Sequence, residues 1–414
     1  LYKQANDFII DKISNRLCGF RTGYSTQHAL LDLLEKWRRT LDSKGIVGTI
    51  LMDLSKAFDC LPHDLLIAKL HAYGFDDNAL KLLQNYLSNR KQRVKVGSEY
   101  SAWQDILRGV PQGSVLGPLL FNIFINDIFY ILDDICNFAD DNTLYAMDQN
   151  INAVIYKLED DLKSALTWFK YNSLVANPKK FQFMLLGMKE KHKLCLLVDG
   201  KTIKSARSVK LLGITIDDKL SFNEHVNTLC KKASSKVGAI RRINNYITRD
   251  NAKILVSAMV ESHFNYCPLI WIFCTKGANG KINNIHRKAL KIVSNYEHSN
   301  YNELLALYGK VPIHTKNLQI LMIEVYKTAN KLNPPFIWNL VCRKPTNYSL
   351  RSSNLLFLPS TRTKTFGMNS FSYRGSILWN YLPDTIKNSE NLTQFKKNIK
   401  LWNGQNCHCR ICAI

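Results

Sequence analysis

Two aspartates stand side by side, Asp140 and Asp141, in the stretch NFADDNTLYA at residues 137–146, flanked by the apolar Ile135, Cys136 and Phe138 and then by Leu144, Tyr145 and Ala146. Like charges this close repel and cost stability. One account is a plain hairpin turn, because short polar side chains tolerate the left-handed backbone that tight turns demand. The other is chemical: a hairpin tip is a rigid mount for carboxylates, and clustered hard oxygens bind Mg²⁺. The chemical account needs a third carboxylate from elsewhere in the chain.

Asp53 is the candidate. The β-branched and apolar run from Ile46 to Met52 predicts a buried strand that ends at Asp53 and feeds a helix from Leu65 to Tyr73. A strand end beside a hairpin tip would gather three carboxylates at one sheet edge, too repulsive a cluster to persist without cations. Two Mg²⁺ ions are the natural complement, with Mn²⁺ as a substitute. A two-metal site activates a hydroxyl as nucleophile, clamps a triphosphate and stabilises both the attacking and leaving oxygens, which is nucleotidyl transfer.

Several elements must position these groups. TQHALLDLLEKWRRTL at 26–41 has helical spacing, and QRVKVGSEYSAWQDIL at 92–107 alternates enough for a strand pair around Gly97 and Ser98. GVPQGSVLGPLLF at 109–121 opens as a Gly/Pro loop and continues as an apolar helix that tolerates Pro118 only near its first turn. Residues 151–173 read as an amphipathic helix, 175–187 as a loop and strand, and 209–217 as a strand. From about Asn223 basic helices take over: Val226, Leu229, Ala233, Val237 and Ile240 share one face, with Lys231, Lys232, Lys236, Arg241 and Arg242 largely off it. Ile282, Ile285, Ala289 and Ile292 repeat the arrangement beside Arg287, Lys288 and Lys291. Residues 332–375 are rich in Pro, Ser, Thr and Asn and show no clear period.

The net charge of +23 is concentrated late: residues 231–414 hold 27 Lys and Arg against 7 Asp and Glu. That asymmetry points to a polyanionic partner, nucleic acid before membrane. The longest apolar run, 118–132, is broken by Asn122, Asn126 and Asp127 and is too short and polar to cross a bilayer. Eleven scattered cysteines do not resemble a secreted disulfide scaffold, so a reducing compartment, nucleus or cytoplasm, is expected. The chain opens on Leu1 with no signal-peptide pattern, so a fragment is expected.

DLSKAFDCLPH, RGVPQGSVLGPLLFNIFINDI, FADD, NPKKFQFMLLG and KLLGITID follow one another in the order and at roughly the separations of the palm motifs of reverse transcriptases of non-LTR (LINE-like) retrotransposons. The chain resembles the jockey-like group most, from GFRTGYSTQHAL at 19–30 through about residue 235, and more loosely to the end. The resemblance implies an α+β right hand: fingers and palm over 1–222, the palm an antiparallel sheet with helices on one face, a helical basic thumb over 223–310, and a mainly helical or irregular C-terminal region over 311–414 with a Cys-rich tail. It implies RNA-directed DNA polymerase activity with an RNA template, a DNA primer or target, and dNTPs. Asp53 and Asp140 would hold the metals, with the Leu54 carbonyl assisting and Asp141 in support.

By the same resemblance Phe58 matches the aromatic gate against a ribonucleotide 2′-hydroxyl, and a core Phe is its structural alternative. Gln112 matches the residue lining the nucleotide pocket, where Gly109 and Gly113 admit close backbone approach. Lys180 matches a proton donor to pyrophosphate, with Lys179 as rival, Arg21 a contact to the triphosphate, and KLLGITID at 210–217 the primer-grip hairpin. Asn142 departs from the threonine common after the aspartate pair, and the upstream endonuclease and earliest finger motifs are absent from this sequence, as in an N-terminally truncated copy. Zinc is not expected at Cys407, Cys409 and Cys412, because the adjacent His408 cannot readily join Cys407 on one tetrahedral ion. His263 and His314 are expected to be structural. A catalytically inactive relic that binds RNA or DNA is the alternative of another class, and an RNA-templated RNA polymerase would not favour a bulky gate at Phe58.

Overall fold

The computed structural model describes residues 1–188, 195–198, 200–295, 300–344 and 354–412. The chain forms two compact units, one made of Leu1–Ala29 with Gly45–Ala206, the other of Leu30–Lys44 with Arg207–Ile414. The fold is α+β.

The first unit is built on a six-stranded sheet in the order Cys195–Val198, Lys201–Ala206, Gln182–Leu186, Ile46–Met52, Asp141–Asp148, Ile135–Phe138. All neighbours are antiparallel except Gln182–Leu186 with Lys201–Ala206. Ile46–Met52 is central, with Thr49 opposite Met184 on one side and Tyr145 on the other. Its β-branched and apolar side chains suit a strand flanked on both edges. Ile50, Met52, Leu144, Ala146, Phe183 and Leu185 share one core with the helices Leu116–Ile125 and Ile151–Tyr171, which contribute Phe121, Phe124, Val154, Leu158 and Phe169. Burying one such side chain stabilises by about 2 kcal/mol. Asn150 caps the longer helix by accepting from the Asn152 amide, and Pro118 lies in the first turn of the shorter one, where its missing N–H costs nothing.

Residues 91–105 form two short ladders, Lys91–Gln92 with Gln104–Asp105 and Lys95–Val96 with Glu99–Tyr100, turning at Gly97 as the spacing predicts. Residues 209–217, one strand by residue pattern and a hairpin by the resemblance, form a hairpin, Ser208–Leu211 with Ile214–Asp217, reversed at Leu212 (φ 45°) and Gly213 (φ 79°). Asp217 then organises the next turn, accepting from the amides of Lys219 (3.1 Å), Ser221 (3.0 Å) and Phe222 (2.7 Å) and so launching the helix Asn223–Ile243.

In the second unit that helix buries Val226, Leu229, Ala233, Val237 and Ile240 and leaves Lys231, Lys232, Lys236, Arg241 and Arg242 exposed. It packs on Lys276–Val293, which buries Ile282, Ala289 and Ile292 and exposes Arg287 and Lys288. Further on, Ile313–Ala329 packs against Phe371–Tyr381 and Leu392–Ile399, with Tyr326 stacked on Phe395 at 4.4 Å between ring centroids. Of the stretch 332–375, residues 345–353 lie outside the described residues; around them run a 3₁₀ segment, Pro335–Leu340, and the Arg343–Leu356 bridge. The residues from Leu30 on of the helix Thr26–Asp42 are tied to this region by three polar side chains. Glu35 accepts from the amides of Phe371 (2.9 Å) and Ser372 (3.2 Å), Asp42 from those of Arg362 (2.9 Å) and Thr363 (2.7 Å), and Arg38 donates to the Asn369 carbonyl at 2.7 Å.

Candidate active site

Antiparallel register brings the three aspartates to one sheet end. Met52 pairs with Asn142, so one step further Asp53 leaves its strand beside Asp141. Phe138 pairs with Asp141, leaving Ala139 and Asp140 as a two-residue turn with Ala139 left-handed at φ 57°. Asp141 is exposed at the shoulder of this hairpin, yet neighbouring atoms crowd its carboxyl. That desolvation first, and then the negative charges of Asp140 and Asp53, raise its pKa above the ordinary value.

The turn is braced by amides rather than left to its own propensity. Buried Asn137 donates to the Ala139 carbonyl (3.0 Å) and to Asn142 Oδ1 (2.7 Å), and Asn142 donates to the Asp140 carbonyl (2.9 Å). Asn142, the departure from the resemblance, is thus a structural tie within the turn. The segment 17–21 closes on the same hairpin: the Cys18 amide donates to the Asn137 carbonyl at 3.0 Å. Gly19 lies so close that a Cβ there would meet the Ala139 nitrogen at 2.4 Å. Sequence reasoning missed this brace, although GFRTGYS was visible as the first motif.

Lys180 ends a 3₁₀ turn, Pro178–Lys180, and its Nζ lies 3.0 Å from Asp53 Oδ2. The turn is anchored by the Asn177 amide donating to the Asp53 carbonyl at 3.0 Å. Leu54 is buried and pairs with Ala176 across a two-residue ladder. The Gly109–Gly113 loop is pinned to the segment after Asp53: Gly109 and Val110 amides donate to the carbonyls of Leu61 (2.8 Å) and Phe58 (2.9 Å). At φ 85°, Gly109 approaches so closely that a Cβ would meet the Asp59 Cα at 2.7 Å. Gln112 on this exposed loop donates to Asp59 Oδ1 at 2.8 Å, with Gly113 exposed beside it. Phe58 is half-buried, stacked on Phe121 at 4.1 Å and edge-on to Phe20 at 5.8 Å.

Arg21 is engaged in holding its own loop. Its Nη1 donates to the Ser14 (2.7 Å) and Leu17 (3.2 Å) carbonyls and its guanidinium stacks on Tyr24. Those bonds are where the structure places its guanidinium. His314, expected to be structural and without pattern, meets the tail cysteines: Cys409 Sγ lies 3.4 Å from its Nε2. His408 is exposed and has no part in that cluster.

No described helix is long and apolar enough to cross a membrane. Residues 1–216 match the family model described as reverse transcriptase (RNA-dependent DNA polymerase). A Drosophila melanogaster protein described as "Probable RNA-directed DNA polymerase from transposon BS" is 25% identical over 76% of this chain and 36% of its own length. The "RNA-directed DNA polymerase from mobile element jockey" of the same species is 26% identical over 53% of this chain and 25% of its own. This chain thus spans between a quarter and about a third of the length of these relatives. Among solved structures, apo telomerase from Candida tropicalis matches 76% of this chain and 54% of that chain at 12% identity and a TM-score of 0.40. With more than half of its residues matched by that model, the chain belongs to the reverse transcriptase family.

Proposed function

We propose that this chain is the polymerase part of a non-LTR retrotransposon's RNA-directed DNA polymerase, which copies an RNA template by adding dNTPs to the 3′-hydroxyl of a DNA primer. The observation that carries this reading is the convergence of three carboxylates at one sheet end, with Asp141 resisting ionisation first through desolvation and then under the charges of Asp140 and Asp53. A cluster of hard oxygens in that state suits Mg²⁺. Asp53 and Asp140 are the ligands in this reading, with Asp141 in support and the Leu54 carbonyl beside them. Bound there, two ions would supply nucleophile activation and neutralisation of the triphosphate.

The chain's own groups do the rest. Phe58, fixed from below by Phe121, blocks a ribose 2′-hydroxyl. Gln112 and Gly113 line the nucleotide pocket from a loop that Asp59 orients. Lys180 holds a proton beside Asp53 for the leaving pyrophosphate. Arg21 keeps the 17–21 segment in place against the aspartate hairpin. The exposed cations of the helices within 223–310, the thumb of this reading, engage phosphate backbone. The eleven cysteines, scattered apart from the tail, favour a reducing compartment, nucleus or cytoplasm, in this reading.

The test is primer extension on an RNA template with dNTPs and Mg²⁺. The expected result is synthesis by the native chain and a loss on the order of 10³-fold or more in Asp140→Ala. Undiminished synthesis in that variant would overturn the assignment, and binding of RNA without any incorporation would mark an inactive relic.

A further inference from the structure

The tail and the helix Ile313–Ala329 together build a second cluster that the polymerase reading does not use. His314 is the second residue of that helix, and it meets Cys409 across 95 residues of sequence. One ligand atom each from His314, Cys407, Cys409 and Cys412 lies within 4.8 Å of all the others. Turns bring the three thiols round: the Cys407 amide donates to the Gly404 carbonyl at 3.3 Å and the Cys412 amide to the Cys409 carbonyl at 3.0 Å. His314, Cys407 and Cys409 are buried and Cys412 closes the rim.

We propose that these four residues form a structural zinc site of Cys₃His type. The ligand set suits a borderline-soft, four-coordinate ion, and all three thiols are free to bind it. A tetrahedron with Zn–S near 2.3 Å and Zn–N near 2.0 Å has edges of about 3.4–3.8 Å. The observed spacing therefore closes by about an ångström or less. Four protein ligands leave no open position, so the ion's work is to hold structure rather than to do chemistry.

Charge also balances. Binding releases the three thiol protons and leaves a net single negative charge. Arg410, between Cys409 and Cys412 in sequence, lies within electrostatic reach of Cys409 while its guanidinium donates to the Phe273 carbonyl at 2.7 Å. Cys274, also near, stays outside the ligand set, with burial pushing its thiol up to about 12. The sequence argument against zinc assumed His408 as the histidine. That residue is exposed, and the imidazole comes from His314 instead. The ion would thus clasp residues 407–412 to the start of the helix Ile313–Ala329.

The test is metal content of the full chain, purified under reducing conditions without chelator, by inductively coupled plasma mass spectrometry. About one zinc per chain is expected for the native protein and for His408→Ala, with a several-fold drop in His314→Ala and Cys409→Ser. Because Cys409→Ser alone can fail to fold, Co²⁺ exchange into the native protein and into His314→Cys gives an independent reading: thiolate-to-cobalt charge transfer and tetrahedral d–d bands, shifted but retained in His314→Cys. Zinc-free native protein, zinc retained in the His314→Ala/Cys409→Ser double variant, or zinc lost in His408→Ala would each overturn the proposal.

Discussion

Lys180 Nζ lies 3.0 Å from Asp53 Oδ2, an ion pair across 127 residues of sequence at the very end of the central strand. That contact belongs to Lys180; Lys179, one residue earlier, is exposed. If Lys180 is the group that protonates pyrophosphate, Lys180→Ala should lower kcat by about 10²-fold while leaving the dNTP KM within a few-fold, and Lys179→Ala should behave like the native chain. Single-nucleotide incorporation on an RNA template measures both. Equal effects at the two lysines would reduce Lys180 to a general electrostatic role.

Phe58 stacks on Phe121 at 4.1 Å, meets Phe20 edge-on at 5.8 Å and is only half-buried, so the ring is held while part of the residue remains accessible. A Phe serving the core alone would be fully buried, as Phe121 is. Phe58→Ala should therefore raise rNTP incorporation relative to dNTP by at least about tenfold, the size of a steric exclusion of one hydroxyl. Competition assays with mixed nucleotides read this ratio, and a ratio unchanged from native would remove the gate assignment.

Asp141 illustrates a stability cost at a functional site. Its folded-state pKa is raised, so the folded chain holds its proton more tightly than the unfolded chain does. Ionisation therefore destabilises the metal-free fold. The penalty is absent below the ordinary carboxylate pKa and full once the pH has risen through the raised value. Asp141→Asn should raise the Tm in EDTA at neutral pH, lose that advantage in acid, and gain less from added Mg²⁺ than the native chain does. Thermal scans at two pH values with and without Mg²⁺ decide it.

The strand ending at Asp53 and the hairpin at Asp140 were legible because a continuous β-branched apolar run and turn chemistry are local signals. The Gly/Pro loop at 109–113 announced itself in the same way. What the residues hid is carried by single polar side chains with distant partners. Glu35 and Asp42 on a helix look like a solvated face, yet they bind backbone 320 to 337 residues away. His314 had no neighbour in sequence to mark it, since its cysteines lie in the tail. At 209–217 the residue pattern alone reads as one strand, because apolar Leu212 takes a left-handed turn position that Gly or Asn usually signals, and the hairpin comes only from the resemblance.

Glu35 is buried and accepts the two amides that begin the helix Phe371–Tyr381, together with the Ser372 hydroxyl. Its loss would orphan those donors at a helix N-terminus, where a carboxylate also complements the dipole. Glu35→Ala should cost about 2–3 kcal/mol and Glu35→Gln about half of that, since the amide oxygen still accepts. Urea denaturation of the full chain, followed by tryptophan fluorescence, measures the two; a cost below about 0.5 kcal/mol for the alanine variant would show that water replaces the carboxylate without loss.

Glu261 anchors a buried network in the second unit, accepting from His286 Nε2 at 3.1 Å, from Ser257 Oγ at 3.3 Å and from Lys310, while His286 Nδ1 lies 2.8 Å from the Tyr301 hydroxyl. Burial opposes its ionisation, but the hydrogen bonds from His286 and Lys310 and the lysine charge outweigh burial and bring its pKa from 4.5 down to about 2. A depressed carboxylate contributes stability that is full above its unfolded value and lost as the pH falls through the folded one. The window is therefore from about pH 4.5 to about pH 2, and the contribution is on the order of 3 kcal/mol. Glu261→Gln should be less stable than the native chain at pH 6 by an amount of that order, and the gap should shrink steadily below pH 4.5. Denaturation midpoints at pH 6, 4 and 3 for both proteins give the comparison, and a gap that stays constant with pH would mean that the glutamate contributes through packing and neutral hydrogen bonds instead of through its charge.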